Sequence, residues 1–124
     1  MDFIHSDDAP KAIGPYSQAV KAGNVLYTSG QVSLDPKTGE LVTGDFAAQA
    51  RRVFENLRAV LRAAGADFRN VTKATVFLTD LGNFQALNAI YAEYFGEQKP
   101  ARTTVQVAGL PKGAAVEIDL IAVL

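Results

Sequence analysis

The sequence lacks cysteine altogether and contains a single histidine, His5. Without cysteine the chain forms no disulfide, no thiolate nucleophile and no cysteine-ligated metal centre, and one histidine excludes a metal site built from several. An excess of charge of one sign is also missing, since 12 basic and 13 acidic side chains give a formal net charge of −1. No run of basic residues exceeds a pair, so we expect no nucleic-acid partner.

Long hydrophobic runs are missing as well. No apolar stretch approaches the roughly 20 residues that a membrane span needs, and the opening residues MDFIHSDDAP carry acids rather than the pattern of a signal peptide. We therefore expect a cytoplasmic protein with no membrane partner, and nothing points to a cofactor. The apolar content of 48% is typical of globular proteins, and 124 residues fit one domain over 1–124.

The order of predicted elements is strands, helix, strand, helix, strand, strand. Residues that favour strands cluster at 17–23, 24–34, 71–80, 103–110 and 114–124. Apolar residues recur every three or four positions after Asp45 and again after Asn83, both typical N-cap residues, and Gly65 and Gly96 would end the two helices. This order predicts an α+β fold, a mixed sheet with both helices on one face. A second copy of the chain is the simplest cover for the other face.

Two charged residues on the last strands are candidates for chemistry. Glu117 shares a strand face with Asp119, which fits either a wet edge strand or a carboxylate in an apolar cleft, where burial raises its pKa. Arg102 begins a strand. It is a solvated surface charge, a partner for Glu117 on a neighbouring strand, or a fork that grips a substrate carboxylate. The sequence alone leaves these alternatives open.

Three further places carry weaker signals. Tyr16 follows the Gly14-Pro15 turn and is either a packed ring or part of a site. Ser29 and Gly30 interrupt a strand, as glycine does where the backbone closely approaches a ligand. Asn88 interrupts the apolar stripe of the second helix, where a hydrogen bond to a neighbouring backbone group would also explain it.

Five segments together carry a family resemblance: IGPYSQAV, TSGQVSLDPKTGEL, NVTKATVFLTDL, YAEYFG and PARTTVQVAGLPKGAAVEIDLIAV. They resemble the reactive intermediate deaminases, the RidA (YjgF-type) enamine/imine deaminases, from about residue 10 to the C-terminus. The last segment is the most specific, because it combines P-x-R, a short apolar strand, L-P and a strand with an acid near its start.

The resemblance implies a chorismate-mutase-like α+β fold and a homotrimer with a central β-barrel and clefts between subunits. It also implies cofactor-free hydrolysis of 2-aminoacrylate, 2-aminocrotonate and related imines, which escape from pyridoxal-phosphate enzymes, to 2-keto acids and ammonia. The protein would then be a 2-iminobutanoate/2-iminopropanoate deaminase, with a small imine or enamine carboxylate as its substrate and no metal.

The same resemblance assigns roles to individual residues. Arg102 would bind the substrate carboxylate and Glu117 would position or activate water. The implied cleft residues are Tyr16, Ser29, Gly30, Asn88 and Thr104. Thr104 stands where many members have cysteine, so thiol-dependent chemistry is excluded here while the deaminase reaction, which needs no thiol, is not.

Two other functions remain open at this point. A trimer with the same cleft could bind a keto acid or amino acid without catalysis, although such a binder would need only Arg102 and not Glu117. A ribonuclease or translation inhibitor, as some relatives have been described, is disfavoured by the acidic pI of about 5.7 and the single histidine.

Overall fold

The computed structural model describes all 124 residues and shows a six-stranded mixed sheet with two helices. The strands are β1 (Asp2–Ile4), β2 (Ala19–Ala22), β3 (Val25–Thr28), β4 (Val71–Leu78), β5 (Ala101–Gln106) and β6 (Val116–Val123), and the helices are α1 (Phe46–Ala63) and α2 (Phe84–Phe95). The spatial order is β1-β2-β3-β6-β4-β5. The α+β class expected from the sequence is confirmed, whereas β1 was not anticipated.

Only β4 and β5 run parallel, and all other neighbours are antiparallel. A parallel pair needs a crossover connection, because the chain must return to the same end of the sheet before it starts the second strand. Helix α2 is that crossover. It therefore packs beside the β4–β5 edge and brings its side chains to the side chains of β5.

Both helices cover the same face of the sheet, as expected. On β6 the residues that point to the helices, Val116, Ile118, Leu120 and Ala122, are at most 1% exposed. The alternate residues of the same strand point to the opposite face and are only partly buried. We call that opposite side the open face. It also exposes three large apolar side chains, Tyr27, Val105 and Val123, at 48%, 38% and 40%.

Both helices begin where predicted, but only α1 has a cap hydrogen bond from its predicted N-cap side chain. Asp45 caps α1 by accepting a 2.8 Å hydrogen bond from the Ala48 N–H. Asn83 precedes α2 but its side chain makes no cap hydrogen bond, so the predicted capping role was wrong. The reason is local: a 3₁₀ turn at Leu81–Asn83 leads into α2, and Asp80 caps that turn through the Gly82 N–H at 2.7 Å. Neither helix is long and apolar enough to cross a membrane.

Candidate active site

Strand β5 places Arg102 on the helix-covered side of the sheet. In the parallel register Arg102 lies beside Ala74 of β4, which is fully buried beneath the helices. The guanidinium carbon Cζ lies 4.8 Å from the ring centroid of Tyr91 and 5.5 Å from that of Phe84, both on α2. None of the four salt bridges of the chain includes Arg102. The cation is therefore held by aromatic rings and has no carboxylate partner of its own.

Thr104 and Asn88 lie near this arginine. Thr104 is two residues further along β5, so its side chain points to the same face of the sheet. Its hydroxyl oxygen is buried without a hydrogen-bond partner, and so is that of Tyr91. Asn88 is half-buried and lies between Phe84 and Tyr91 on one side of α2, because residues three and four apart on a helix are neighbours. We call Arg102, Thr104 and Asn88 the arginine group.

Strand β6 places Glu117 on the open face. Its register partner on β4 is Phe77, which also points away from the helices. Burial raises the pKa of the Glu117 carboxyl, and the nearby charge of Asp119 raises it further. The pKa of Asp119 is raised by burial too, against the opposing effects of a Thr75 hydrogen bond and the Lys73 charge. Because β6 lies inside the sheet, the interpretation of these acids as the wet face of an edge strand is wrong.

Gly30 packs directly against Glu117. An ideal Cβ at Gly30 would lie 2.5 Å from Glu117 Oε2, so any other residue there would push the carboxylate out of place. No backbone group of the protein bonds to the Gly30 N–H. Immediately after it, Gln31 pairs with Ile118 of β6 through N–H···O bonds of 2.9 and 3.1 Å. The close approach predicted for Gly30 is thus an approach to the carboxylate.

Tyr16 lines the cavity that contains Glu117, and Ser29 precedes Gly30 in the chain. The Ser29 hydroxyl donates to the Ser17 carbonyl at 2.6 Å and its N–H to Gln18 at 2.9 Å, which leaves its oxygen free only as an acceptor. Tyr16 is 53% exposed, and its Oη accepts from the Ile13 N–H at 3.3 Å. A cavity of about 370 Å³ opens here, lined by Ile13, Tyr16, Gly30, Val32, Leu34, Pro111, Lys112 and Glu117. We call Glu117, Gly30, Ser29 and Tyr16 the glutamate group.

The two groups lie on opposite faces of the sheet. Arg102 points to the helix-covered side and Glu117 to the open side, and β4 runs between their strands. The suggestion that Arg102 and Glu117 lie on neighbouring strands and pair with each other was therefore wrong. Within one chain the predicted site residues form two separate half-sites, and a small substrate cannot contact both.

Sequence reasoning missed two residues that support these half-sites. Asn56 is fully buried in α1, and its amide donates to the carbonyls of Val32 and Leu34 at 3.2 and 2.9 Å, which holds one wall of the Glu117 cavity. The helical periodicity could have indicated that Asn56 is buried, because it lies one helical turn after Val53, which is buried in the same helix. Lys112 lines the same cavity and has a positive φ of 58°, and no local pattern marked it.

A larger cavity of about 550 Å³ lies elsewhere, between the N-terminal segment and α1. It is lined mostly by charged side chains, among them Arg52, Arg58 and Arg62, and includes none of the predicted site residues. Arg58 is already paired with Glu55 at 3.2 Å. No group of three or more His, Cys, Asp or Glu side chains converges anywhere in the chain as a metal site would require.

Similarity to known proteins extends over nearly the whole chain. The family model described as Endoribonuclease L-PSP matches residues 6–124. The chain belongs to this family. A human relative, 2-iminobutanoate/2-iminopropanoate deaminase, is 48% identical over 120 residues, which cover 97% of this chain and 88% of the human protein. The family resemblance inferred from the sequence motifs is thereby confirmed.

Solved structures of family members share the fold. RidA from an Antarctic Psychrobacter species is 50% identical with a TM-score of 0.96, and the match covers 100% of both chains. TdcF from E. coli, solved with bound serine, is 43% identical with a TM-score of 0.95 and matches 100% of this chain and 99% of its own. Family members thus include a named imine deaminase and a protein that binds a small amino acid.

Proposed function

We propose that this protein is an imine deaminase that hydrolyses 2-iminobutanoate and 2-iminopropanoate, the tautomers of 2-aminocrotonate and 2-aminoacrylate, to 2-keto acids and ammonia. We further propose that its site forms between copies of the chain, where the arginine group of one copy faces the glutamate group of the next. A homotrimer is the assembly that the family resemblance implies. The substrates are those released by pyridoxal-phosphate enzymes.

The observation that carries this proposal is the separation of two complementary half-sites. One contains a guanidinium with no carboxylate partner, and the other contains a carboxylate with a raised pKa and no arginine partner. Copies that contact each other through two different patches, one on each side of the chain, form a closed ring when the rotation from copy to copy adds up to a full turn. Such a ring would supply every cleft with one arginine group and one glutamate group.

The reaction requires only two side chains of the protein, one to bind the substrate carboxylate and one to transfer a proton. Two parallel N–H···O bonds from Arg102 would fix the substrate carboxylate and, through it, the neighbouring imine carbon. Glu117 would accept a proton from water as the oxygen attacks that carbon and pass it to the nitrogen, which gives a carbinolamine. The hydroxyl proton of the carbinolamine would then also move to the nitrogen as the C=O bond forms, the C–N bond breaks and ammonia leaves. Imine plus water thus gives keto acid plus ammonia, and positioning provides most of the acceleration.

The raised pKa of Glu117 suits this role. A general base is most effective when its pKa approaches the working pH, because it is then both largely ionised and strongly basic. Burial and Asp119 shift the Glu117 pKa in that direction. A binding protein for keto acids would need the arginine group alone, so the paired half-sites favour an enzyme.

A coupled assay tests the activity. A threonine or serine dehydratase generates the enamine, and its loss and the formation of keto acid are followed with wild type, Arg102→Ala and no added protein. We expect wild type to accelerate hydrolysis and Arg102→Ala to lose about 10- to 100-fold in kcat/KM, as expected for a charge-assisted pair of hydrogen bonds. Arg102→Lys is the matched control, since it keeps the charge and loses the fork.

Each alternative corresponds to a distinct result. Binding of 2-oxobutanoate without any turnover by wild type would replace the enzyme with a ligand-binding protein. Cleavage of RNA that weakens steeply with added salt would instead support the ribonuclease that the family's name describes.

Subunit mixing tests where the site forms. Arg102→Ala and Glu117→Gln are each expected to lose most of their activity, and exchange of their subunits should restore activity at interfaces that combine the two intact halves. About a quarter of the interfaces qualify when equal pools assemble at random in a ring. Mixtures that stay inactive despite proven subunit exchange would contradict a shared site.

A further inference from the structure

Arg102 contacts two aromatic rings and forms no salt bridge with an acidic side chain. Its guanidinium carbon lies within 6 Å of two ring centroids, Tyr91 at 4.8 Å and Phe84 at 5.5 Å. That is the range in which a cation is attracted to the face of an aromatic ring. The two rings are seven residues apart on α2, on the same side of the helix, so the guanidinium is in reach of both.

The Tyr91 ring is itself held firmly. It packs against Phe95 with centroids 4.4 Å apart and against the edge of Phe54 at 5.9 Å, and both of these phenylalanines are buried. Burial raises the pKa of the Tyr91 hydroxyl while the charge of Arg102 opposes that shift, which also indicates that the two side chains are close. A ring fixed in this way restricts the orientations open to the guanidinium that rests on it.

A second arginine in the same protein provides an internal comparison. The Arg58 guanidinium lies 5.1 Å from Tyr94 and 5.7 Å from Phe68, a similar aromatic setting. Its N–H groups, however, donate to Glu55 at 3.2 and 3.4 Å. In both places rings contact the cation, but only at Arg58 does the chain itself supply a carboxylate for the N–H groups.

We propose that Tyr91, together with Phe84, positions the Arg102 guanidinium so that its N–H edge receives the carboxylate of the substrate, as Arg58 receives Glu55. Tyr91 is a positioning residue, since it acts through Arg102. This inference rests on the proposed function and adds a determinant of substrate class: the site selects for a carboxylate because the rings pre-orient the arginine before the ligand arrives. Pre-orientation favours binding by lowering the entropy lost when the pair forms.

The test measures preference for a carboxylate rather than activity alone. Dissociation constants are determined by calorimetry for 2-oxobutanoate and for its neutral amide, 2-oxobutanamide, and the ratio of the two reports the contribution of Arg102. We expect Tyr91→Leu to reduce this preference about tenfold, which corresponds to about 1.4 kcal/mol. Tyr91→Phe keeps the ring and should retain the wild-type preference within about twofold.

Tyr94→Leu is the matched control. It makes the same substitution about one turn along α2, removes the ring stacked on Phe54 at 4.7 Å and takes away the nearer of the two aromatic contacts of Arg58. It should lower thermal stability at least as much as Tyr91→Leu and leave the carboxylate preference unchanged. A general effect of core damage would instead lower the preference in both variants, and that result would overturn the proposal.

The outcomes separate this inference from the proposed function. Wild type that shows neither turnover nor carboxylate preference removes the proposed function itself. Wild type that is active while a folded Tyr91→Leu keeps its full preference overturns only the role of Tyr91. In the enzyme, the positioning role should appear as a raised KM with a smaller change in kcat for Tyr91→Leu, and Tyr91→Phe should restore KM.

Discussion

At the scale of single residues, the contact between Gly30 and Glu117 links a backbone position to the carboxylate that we propose as the general base. The space that a Cβ would occupy at Gly30 is already taken by the end of the Glu117 side chain. The φ of Gly30 is not positive, so other residues could adopt its backbone conformation. Glycine is needed here for space and not for conformational freedom.

Gly30→Ala should therefore impair catalysis more than folding. The added methyl group would displace the flexible Glu117 carboxylate, and we expect a loss of about tenfold or more in kcat with a change in Tm of only a few degrees. Thermal unfolding and the coupled assay measure both effects. Gly23→Ala, at a glycine with a positive φ and open space around it, is a control that strains the backbone far from Glu117. A fully active Gly30→Ala would show that the position of the carboxylate is unimportant.

The raised pKa of Glu117 makes a second prediction, on stability. The pKa of the Glu117 carboxyl is about 4.5 in the unfolded chain and is higher in the folded chain. This carboxyl therefore does not change the free energy of unfolding below its unfolded pKa. It lowers that free energy as the pH rises through its folded pKa. Glu117→Gln removes that loss, so it should unfold at a higher temperature than wild type near neutral pH and at about the same temperature near pH 4.

Thermal unfolding across this pH range checks the sign. A Glu117→Gln variant that is less stable than wild type at neutral pH would show that the ionised carboxylate is favourable in the fold. Asp119→Asn is the informative companion, because Asp119 contributes to the raised pKa of Glu117. It should shift the acidic limb of the pH–rate profile to lower pH.

At the scale of elements, helix α1 shapes the glutamate group without contributing a reacting side chain. Asn56 holds the carbonyls of Val32 and Leu34, and its own oxygen accepts from Arg52 Nε at 3.0 Å. The buried amide thereby ties the segment after Gly30 to the core. This side chain links that cavity wall to α1, in addition to the backbone bond between Ser33 and Val42.

Asn56→Ala should both destabilise the fold and widen the cavity. The Leu34 carbonyl loses its Asn56 donor and the Val32 carbonyl keeps only the Leu34 N–H at 2.8 Å, which costs about 1–3 kcal/mol when such groups are buried. We expect KM to rise because the wall near Glu117 loses this support. Chemical denaturation and steady-state kinetics measure the two effects. Arg52→Ala removes only the outer hydrogen bond and should change stability by less than about 1 kcal/mol. Equal effects of the two substitutions would contradict the role assigned to the amide.

The elements also show what the sequence could and could not predict. Helical periodicity and glycine stops located α1 and α2, and alternation along β6 placed Glu117 and Asp119 on one face, because these signals are local. Strand order is not local. The insertion of β4 between β5 and β6 depends on the crossover through α2 and on long-range pairing, so the sequence left open a pairing of Arg102 with Glu117 that the strand order excludes. The role of Asn56 was missed because it depends on a segment 22–24 residues away.

At the scale of the whole molecule, the open face of the sheet has the composition of an interface. Tyr27, Val105 and Val123 expose large apolar surfaces there, and Phe77 lies among them beside Glu117. Large apolar side chains exposed on one face of a small protein are typical of a contact with another protein. The same face carries the glutamate group, so contact between copies and completion of the site would occur together.

Val105→Asp should separate the copies and abolish activity while the chain stays folded. A charge in an apolar contact has no partner there and is costly to bury, whereas Val105 in a lone chain is 38% exposed and tolerates a polar residue. Light scattering after size exclusion and circular dichroism measure assembly and folding. Ala89→Asp, at an exposed position on the side of α2 away from Phe84 and Asn88, adds the same charge away from the open face and should leave the assembly intact. A dispersed but active Val105→Asp chain would contradict the shared site.

The placement of Arg102 and Glu117 on opposite sides of one sheet has a consequence for how the catalyst behaves on dilution. With the proposed site between copies, a chain that holds only one half of the site would have no activity by itself, so turnover per molecule would depend on the protein concentration. Below the concentration at which copies associate, fully folded chains would be inactive. Above it, total activity would rise more steeply than the amount of added protein. The protein concentration would then determine whether the chains are active.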